Sequence, residues 1–439
     1  MAEIFKAYDI RGIYGEELTT GLAEKIGKAF ATFLNPDTVV VGRDMREHSE
    51  PLFKALAKGL TTQGVDVIDI GVCSTPMCYF ATGKLRASGS IMITASHNPG
   101  EYNGFKLCRE NAIPISGDTG IKDIQRIVES GCFSKAPDRR GSVSKHDPMP
   151  EYKKLVADYA DLKQPPKVVA DMANAMGVIE ARTLEQLLQM DKLFDELDGA
   201  FPNHEANPLK LETLQPLQKK VKEGGYAFGI AFDGDADRAG FVDENGEIVP
   251  MDLVTALIAQ DLLEKKKGIV LYDLRSSWSV KEAIAEKGGI PRMCRVGHAF
   301  IKRQMREHNA IFAGELSGHY YFKDNYYAES SALAAISIAN ILSKTGKSLS
   351  EAVKPLRKYW SSGEINSTVK DARAVLETLK KQYSDGNLET MDGIRIEFSD
   401  WWFNVRPSNT EPLVRLNLEA KTKDVMEEKR EEVLSLIRR

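Results

Sequence analysis

Short apolar runs alternate along the chain with segments whose hydrophobic residues repeat at helical spacing. Three of these runs, at residues 39–41, 168–170 and 269–271, end in a polar turn that contains an aspartate. A helix-like segment and a further strand candidate follow each run, for example at residues 65–70 and 290–296. This alternation predicts α/β units with largely parallel strands.

Each of these three sections contains another apolar strand that leads directly into a polar loop. The strands cover residues 90–93, 227–232 and 310–313, and the loops that follow them cover residues 94–99, 233–238 and 314–319. In open α/β sheets, ligands collect beyond the carboxyl ends of the strands. We therefore expect the three loops to line one cleft. The alternative is that unrelated α/β domains look alike at this level of detail.

The change of pattern along the chain sets the predicted domain boundaries. We predict three α/β domains at residues 1–148, 149–250 and 251–358, and a different segment at 359–439. That last segment combines short strand candidates with a charged helix at 423–439, which predicts a smaller α+β domain. The total of 439 residues agrees with this plan, since domains of ~100–200 residues predict between two and four of them.

Composition and charge exclude several classes of protein. Hydrophobic residues make up 42% and charged residues 28%, which is ordinary globular usage and excludes disorder as the main state. The net charge of −4 gives no sign of nucleic acid or an anionic membrane as a partner. The five cysteines are an odd number and do not predict a disulfide framework. No apolar signal-peptide core begins the chain, and its longest apolar stretch, near 332–342, is too short to span a bilayer, so we expect a cytoplasmic protein.

The loop at 233–238 carries three carboxylates at alternating positions, Asp233, Asp235 and Asp237. Oxygen ligands of this kind suit Mg²⁺, which keeps positions open for water or phosphate. An EF-hand calcium loop has a similar spacing, but it requires glycine at its sixth position, where this chain has Arg238. Arg238 beside a cation fits a phosphoryl group held by both, because arginine binds phosphate through two parallel bonds. A solvated acidic turn remains the alternative.

Ser96 lies in the loop at 94–99, directly after an apolar strand. Its flanking residues do not form the nucleophile elbow of a serine hydrolase. The next residue, His97, is not obviously placed to act as its base. Close to a magnesium site, Ser96 would instead accept or carry a phosphoryl group. Its ordinary alternative is a role in a turn or a helix cap.

Two further loops offer groups that suit a phosphorylated sugar. Residues 406–412 combine the guanidinium of Arg406 with two hydroxyls and an amide, which are donors for a phosphate dianion, although a polar hairpin turn has the same composition. Residues 314–319 offer a carboxylate, a hydroxyl and an imidazole that can bond sugar hydroxyls. Arg275, after the strand at 269–271, either adds a cation to the cleft or is a surface residue.

Together and in this order, the four loops resemble the motifs of the α-D-phosphohexomutase superfamily. We use that family's names: phosphoserine loop (94–99), metal loop (233–238), sugar loop (314–319) and phosphate loop (406–412). The resemblance covers essentially the whole chain. It implies three similar α/β domains with mixed sheets and a smaller C-terminal α+β domain, arranged around a central cleft. The sequence at residues 5–12 and the sugar loop resemble the phosphomannomutase/phosphoglucomutase enzymes of bacteria and archaea.

The resemblance implies an enzyme that interconverts hexose 1-phosphate and hexose 6-phosphate, with both mannose and glucose as substrates. Ser96 would be phosphorylated at rest, and Mg²⁺ would be held by Asp233, Asp235, Asp237 and an oxygen of the phosphorylated Ser96. Phosphoryl transfer would give a bound hexose 1,6-bisphosphate, which turns around in the cleft and returns its other phosphate to Ser96. Added hexose 1,6-bisphosphate would act as an activator.

The resemblance also assigns roles to individual residues. The catalytic residues would be Ser96, Lys106, Arg238, His298 and Arg11. The substrate contacts would be Tyr8, Arg11, His298, Glu315, Ser317 and His319. The phosphate contacts would be Arg406, Ser408, Asn409 and Thr410. Glu315 and Ser317 can bond O3 and O4, which glucose and mannose present identically. Lys106 would need a lowered pKa to act as a base.

Three alternatives stay open at this point. A phosphoglucosamine mutase shares much of the sugar loop. A magnesium-dependent sugar phosphatase would pass the phosphoryl group from Ser96 to water, and a non-catalytic sensor would bind the sugar phosphate without turnover. In each case the expected partner is a small phosphosugar, without nucleic acid or membrane, and the protein is expected to be a monomer or a homodimer.

Overall fold

The computed structural model describes residues 4–136, 138–407 and 413–438. It contains four sheets, and each sheet is built from one continuous section of the chain. Helices accompany the first three sheets to form α/β units, and the fourth sheet carries two helices. This arrangement confirms the predicted fold class.

The first sheet has six strands, in the order β1-β5-β4-β2-β3-β6. The strands are β1 Ile10–Ile13, β2 Thr38–Arg43, β3 Asp66–Val72, β4 Gly89–Ile93, β5 Tyr102–Arg109 and β6 Val143–Lys145. The helices are α1 Thr20–Leu34, α2 Ser49–Thr62, α3 Thr75–Lys84 and α4 Lys122–Ser130. Strand β2 pairs in parallel with β3 and β4, whereas β5 is antiparallel to β4 and β1.

The second and third sheets repeat the central part of this topology. The second has β7 Lys167–Asp171, β8 Gln189–Leu193, β9 Phe228–Phe232, β10 Ala239–Asp243 and β11 Ile248–Val249, with α5 Met149–Tyr159, α6 Gly177–Leu184 and α7 Gln215–Lys222. The third has β12 Ile269–Asp273, β13 Ile290–Cys294, β14 Phe312–Gly314, β15 Tyr320–Phe322 and β16 Ala328–Glu329, with α8 Met251–Lys265, α9 Trp278–Glu286, α10 His298–Glu307, α11 Ser331–Thr345 and α12 Leu349–Val353. Their strand orders, β8-β7-β9-β10-β11 and β13-β12-β14-β15-β16, are equivalent.

The fourth sheet is antiparallel throughout, in the order β17-β21-β20-β19-β18. Its elements are β17 Trp360–Thr368, β18 Asn387–Glu389, β19 Ile394–Glu397, β20 Trp401–Pro407 and β21 Leu413–Ala420, with α13 Ala372–Gln382 and α14 Lys423–Ile437. It packs its own apolar core. The predicted domain boundaries fall between the elements of neighbouring sheets, and the exact ranges stay a prediction.

The prediction of largely parallel strands is wrong for part of each α/β sheet, because two strand pairings in each sheet are antiparallel. The mixed sheets that the family resemblance implies are confirmed. The strands β4, β9 and β14 are each followed by a short connection to an antiparallel neighbour. Antiparallel strands can be joined by a short loop, whereas parallel strands require a longer crossover. The three polar loops of the sequence are these short connections, so they leave equivalent strands at the same edge of each sheet.

One continuous apolar core joins the three α/β units. The helix α11 runs through it, and its residues are buried from the first turn as far as Leu342. The apolar stretch near 332–342 is therefore a central helix of the core. Among the residues that the structure describes, none of the helices is both long and apolar enough to cross a lipid bilayer.

A buried carboxyl group lies where the three α/β units meet. Glu180 on α6 is fully buried, and it accepts hydrogen bonds from the hydroxyls of Ser74 and Tyr152. The hydroxyl of Tyr152 also lies 3.3 Å from Oγ of Ser330. Burial raises the pKa of Glu180 to about 7. Ser74 and Ser330 are the N-cap residues of α3 and α11, so this carboxyl group connects helix starts from different units.

We expect Glu180 to make the protein less stable as the pH rises. The pKa of Glu180 is higher in the folded protein than in the unfolded chain, so folding favours the protonated form. The free energy of unfolding therefore falls as the pH rises from about 4.5 to about 7. Between pH 5 and pH 8 the free energy of unfolding of Glu180→Gln should rise by about 2 to 3 kcal/mol relative to wild type. Urea unfolding measures this difference. Parallel pH profiles for the two proteins would contradict the expectation.

Candidate active site

Three of the four loops lie at the carboxyl ends of equivalent strands. The phosphoserine loop follows β4, the metal loop follows β9 and the sugar loop follows β14. Ser96 Oγ lies 3.0 Å from Asp233 Oδ2, which joins the first two loops. The backbone N–H of Ala239, directly after the metal loop, donates to the carbonyl of Gly318 over 3.0 Å, which brings the second and third loops together. The three loops thus meet as the strand pattern predicts.

The three aspartates of the metal loop converge in the interior. One carboxylate oxygen from each aspartate lies within 4.8 Å of one from each of the other two, and all three side chains are buried. Burial and the charges of Asp237 and Asp235 raise the pKa of Asp233 to about 8. Oδ1 of Asp235 is buried without a hydrogen-bond partner among the described residues, and Oδ1 of Asp237 has only the contact from His319 at 3.2 Å. Buried, crowded and partly unpaired carboxylates fit a hard divalent cation such as Mg²⁺.

The phosphoserine loop and the metal loop touch through their backbones. A Cβ atom at Gly234 would lie only 2.1 Å from the carbonyl oxygen of Ser96. Ser96 itself has a φ angle of +51°, in the left-handed region that residues other than glycine rarely adopt. Glycine at position 234 therefore allows the close approach that brings Ser96 to the aspartates.

We expect Gly234→Ala to separate the phosphoserine loop from the metal loop and to slow the turnover of hexose phosphate. The added methyl group must displace the backbone at Ser96, and a displacement of about 1 Å typically costs about a hundredfold in rate. Turnover of a hexose 1-phosphate measures the effect. Gly21→Ala is the matched control, because a Cβ there lies 3.9 Å from its nearest neighbour, Thr19 Oγ1. Turnover of Gly234→Ala within threefold of that control would contradict this account of the contact.

Arg46 holds the phosphoserine loop, and the sequence patterns do not indicate it. Its side chain is fully buried and pairs with Asp44. Its guanidinium donates to four backbone carbonyls of residues 96–102, at 3.0 Å to Ser96, 2.6 Å to Asn98, 2.5 Å to Pro99 and 3.0 Å to Tyr102. The available signal was the polar turn after the strand at 39–41, but nothing in that turn shows which distant loop it reaches.

Lys106 lies between two of the aspartates. Its Nζ is 2.5 Å from Asp235 Oδ2 and 2.5 Å from Asp237 Oδ2. Burial by itself lowers the pKa of Lys106, but these two carboxylates raise it above its ordinary value. This is the opposite of the lowered pKa that a base requires, so Lys106 is a cation that can contact phosphate.

Arg11 and His97 also reach the phosphoserine loop. The guanidinium of Arg11 donates to Asn98 Oδ1 over 2.5 Å and pairs with Asp9. His97 Nδ1 lies 3.2 Å from Ser96 Oγ, and burial lowers the pKa of His97 well below its ordinary value. A neutral imidazole can exchange a proton with the adjacent hydroxyl. The expectation that His97 is not placed to act as a base for Ser96 is therefore wrong on geometry.

The sugar loop packs against the metal loop through His319. One ring nitrogen lies 3.2 Å from Asp237 Oδ1 and the other 3.1 Å from Glu315 Oε2. Burial alone lowers the pKa of His319, but Asp237 and the hydrogen bonds to both carboxylates raise it to about 9. Arg238 Nε lies 3.3 Å from His319 Nε2, and Ser317 Oγ lies 2.9 Å from its Nδ1. His319 thus connects the sugar loop to the metal loop, and the two carboxylates favour its charged form.

Glu315 is buried, and protein groups occupy most of its hydrogen-bonding capacity. Gly297 N–H donates to its Oε1 over 3.0 Å, and the hydroxyl of Tyr321 donates to its Oε2 over 2.6 Å. Together with the contact from His319, these use three of about four lone-pair positions on a carboxylate. One position is left for a sugar hydroxyl.

Tyr8 and His298 lie together near the sugar loop. Their ring centroids are 5.7 Å apart in an edge-to-face arrangement. Burial lowers the pKa of His298 well below its ordinary value, so this imidazole is neutral. His298 Nδ1 lies 3.6 Å from Glu329 Oε1.

Arg406 lies at the end of β20, and it belongs to a cluster of charges around Glu364. The carboxylate of Glu364 lies 3.6 Å from Arg406, 3.6 Å from Arg275 and 3.3 Å from Arg415. Arg275 is buried and pairs with Asp273 over 2.7 Å, so the surface interpretation of Arg275 is wrong. Ser408, Asn409 and Thr410 lie outside the described residues, and their phosphate contacts stay a prediction.

Family models match almost the entire chain. They are those of phosphoglucomutase/phosphomannomutase: α/β/α domain I at residues 2–135, domain II at 143–246, domain III at 250–359, and the C-terminal domain at 364–436. The chain belongs to the phosphoglucomutase/phosphomannomutase family. The order of the four matches agrees with the order of the four sheets.

Individual members of the phosphoglucomutase/phosphomannomutase family match over their full length. The chain is 41% identical over 448 residues to a protein of Salmonella montevideo named phosphomannomutase, covering 99% of this chain and 98% of that one. It is 42% identical over 439 residues to a phosphomannomutase of Methanocaldococcus jannaschii, covering 99% and 97%. A crystal structure of a phosphoglucomutase/phosphomannomutase family protein from Burkholderia thailandensis has a TM-score of 0.92 and 33% identity, covering 99% of this chain and 97% of that one.

Proposed function

We propose that this protein reversibly interconverts hexose 1-phosphate and hexose 6-phosphate by passing a phosphoryl group through Oγ of Ser96. The observation that carries the proposal is the 3.0 Å contact between Ser96 Oγ and Asp233 Oδ2, within a buried set of three carboxylates. Three such carboxylates can hold a divalent cation beside the hydroxyl of Ser96. Phosphoryl transfer needs positive charge of this kind, because it stabilises the migrating group. The names of the relatives support the same reaction.

The reaction consists of two transfers that balance without a further reactant. In the first, the bond between phosphorus and Oγ of phosphorylated Ser96 breaks, and a bond forms to the free hydroxyl of the hexose phosphate. The proton of that hydroxyl ends on Ser96 Oγ, and the product is hexose 1,6-bisphosphate. The bisphosphate then turns around, and its other phosphoryl group passes to Ser96 Oγ. The proton of Ser96 Oγ moves to the sugar oxygen that has lost this phosphoryl group.

The charged groups around Ser96 supply what these transfers require. Asp233, Asp235 and Asp237 would hold Mg²⁺, together with an oxygen of phosphorylated Ser96. When bound, this ion supplies positive charge next to the phosphoryl group. Arg238 follows the last aspartate and adds a guanidinium that matches phosphate oxygens. Lys106 carries a positive charge beside the same carboxylates.

Proton transfer is assigned by protonation state. His298 and His97 are neutral, which suits a group that accepts a proton from a hydroxyl. Lys106 and His319 have raised pKa values, which suits groups that stay positively charged beside phosphate. We assign acceptance from the sugar hydroxyl to His298 and the exchange at Ser96 Oγ to His97. Arg11 positions the loop that carries Ser96 through its bond to Asn98.

We propose mannose and glucose phosphates as the substrates. Glu315 and Ser317 would bond O3 and O4, which the two sugars share, so neither contact distinguishes them at O2. Tyr8 would pack against the sugar ring, and Arg406 with Ser408, Asn409 and Thr410 would hold the phosphate that is not transferred. Hexose 1,6-bisphosphate as an activator, a cytoplasmic location and a monomeric or homodimeric state belong to the same proposal.

A phosphorus NMR time course with Mg²⁺ and a trace of glucose 1,6-bisphosphate tests the proposal. Mannose 1-phosphate, glucose 1-phosphate and glucosamine 1-phosphate are supplied separately. We expect the first two to be converted to their 6-phosphates. Fast conversion of glucosamine 1-phosphate alone would replace the proposed substrates by glucosamine phosphate. Inorganic phosphate as the sole product would contradict the mutase reaction.

A further inference from the structure

Two helices of different α/β units begin at the metal loop and hold its backbone. At the start of α3, Thr75 N–H donates to the carbonyl of Asp235 over 3.0 Å, and Thr75 Oγ1 donates to Asp235 Oδ2 over 2.5 Å. At the start of α11, Ser331 Oγ donates to the carbonyl of Ala236 over 2.7 Å. Thr75 therefore holds Asp235 directly, and Ser331 holds the backbone of the next residue, Ala236.

The residues directly before these two contacts are the N-caps, and both belong to the network of Glu180. Ser74 Oγ accepts from Met77 N–H and donates to Glu180. Ser330 Oγ accepts from Leu333 N–H and lies 3.3 Å from the hydroxyl of Tyr152, which donates to Glu180 over 3.1 Å. Hydrogen bonds thus connect both caps to one buried carboxyl group.

We propose that Glu180 is a positioning residue for the metal loop, acting through the caps Ser74 and Ser330 on their neighbours Thr75 and Ser331. Removing its carboxyl group leaves the Ser74 and Tyr152 hydroxyls without their acceptor in a site closed to water. The first turns of α3 and α11 are then no longer held relative to each other, and Asp235 is no longer held in one orientation. Groups that orient metal-binding side chains commonly change metal affinity by about 10- to 100-fold.

The inference rests on the proposed metal site, and its test measures metal affinity directly. The dissociation constant of Mn²⁺ is measured by electron paramagnetic resonance on the full-length protein, because Mn²⁺ uses the same oxygen ligands as Mg²⁺. We expect Glu180→Leu to weaken binding by at least about tenfold. Glu180→Gln should retain most of the affinity, because the amide oxygen still accepts a hydrogen bond. Tyr152→Phe, which removes one hydroxyl, should weaken binding severalfold.

Asn340→Leu is the matched control for general loss of stability. Asn340 lies on the same helix α11, is buried, and bonds the backbone of Tyr159 and Asp161 over 2.7 Å each. Among the described residues, it makes no hydrogen bond to the metal loop. The Asn340→Leu substitution should lower the melting temperature and leave the Mn²⁺ affinity within twofold of wild type. Unchanged Mn²⁺ affinity in Glu180→Leu and Tyr152→Phe would overturn the inference. If Glu180→Leu does not fold, the Mn²⁺ affinity of Tyr152→Phe alone tests the inference. A wild-type protein that binds no Mn²⁺ would overturn both the proposed metal site and this inference.

Discussion

Replacing Ser96 with alanine is expected to reduce turnover of mannose 1-phosphate on the order of a thousandfold or more, as is usual when a nucleophile is removed. The substitution deletes the oxygen that lies 3.0 Å from Asp233 and would carry the phosphoryl group. The fold should be retained, because the backbone bonds from Arg46 to the loop do not involve the Ser96 side chain. A coupled assay for the 6-phosphate product measures the rate.

Ser142→Ala is the control for this variant. Ser142 is exposed in the same α/β unit and bonds Asp66, so its loss should leave turnover unchanged. Melting temperatures of both variants close to wild type would show that the loss in Ser96→Ala is chemical. Turnover in Ser96→Ala within tenfold of wild type would remove Ser96 from the reaction.

Replacing Arg46 with methionine is expected to lower both stability and turnover. The variant leaves Asp44 without its buried partner and removes the donors to four carbonyls of residues 96–102, three of them in the phosphoserine loop. Breaking a buried ion pair in this way costs about 3 to 5 kcal/mol of unfolding free energy. Turnover should also fall by about a hundredfold at temperatures where the variant is folded, because Ser96 is no longer held in place.

Arg109→Met is the matched control, because Arg109 donates to a single backbone carbonyl, that of Thr119. It should cost about 1 kcal/mol and leave turnover near that of wild type. Arg46→Lys separates the two effects: it keeps the charge beside Asp44, but a single amine cannot reach all four carbonyls. We expect it to recover more stability than turnover. An Arg46→Met protein with wild-type turnover would contradict the role of Arg46 in holding the loop.

The strand-to-loop pattern predicted most of what brings the site together. The strands β4, β9 and β14 and the polar loops that follow them are visible as apolar runs ending in unusual polar sequences. Topology then places the loops at one edge, because equivalent strands end on the same side of equivalent sheets. The apolar runs alone did not indicate the antiparallel strands, although the family resemblance implied mixed sheets. In the third sheet these strands, β15 and β16, are only three and two residues long.

The groups that hold the loops were not visible in the sequence. Arg46 reaches a loop about 50 residues away, and Thr75 reaches Asp235 across a separation of 160 residues. Glu180 lies within a helix and looks like an ordinary charged position. Local periodicity reports which face of an element is buried, but it does not report which distant element covers that face. Arg275 shows the same limit, because its burial depends on Asp273 and on the fourth sheet.

The most direct test of the central claim follows the phosphoryl group itself. Protein phosphorylated at Ser96 by glucose 1,6-bisphosphate is purified, mixed with Mg²⁺ and an equal amount of glucose 6-phosphate, and observed by phosphorus NMR. The account predicts that the phosphoserine signal falls as the signals of glucose 1,6-bisphosphate appear, with little inorganic phosphate. Loss of the phosphoserine signal to inorganic phosphate alone, or a phosphoserine signal that glucose 6-phosphate leaves unchanged, would contradict transfer between Ser96 and the sugar.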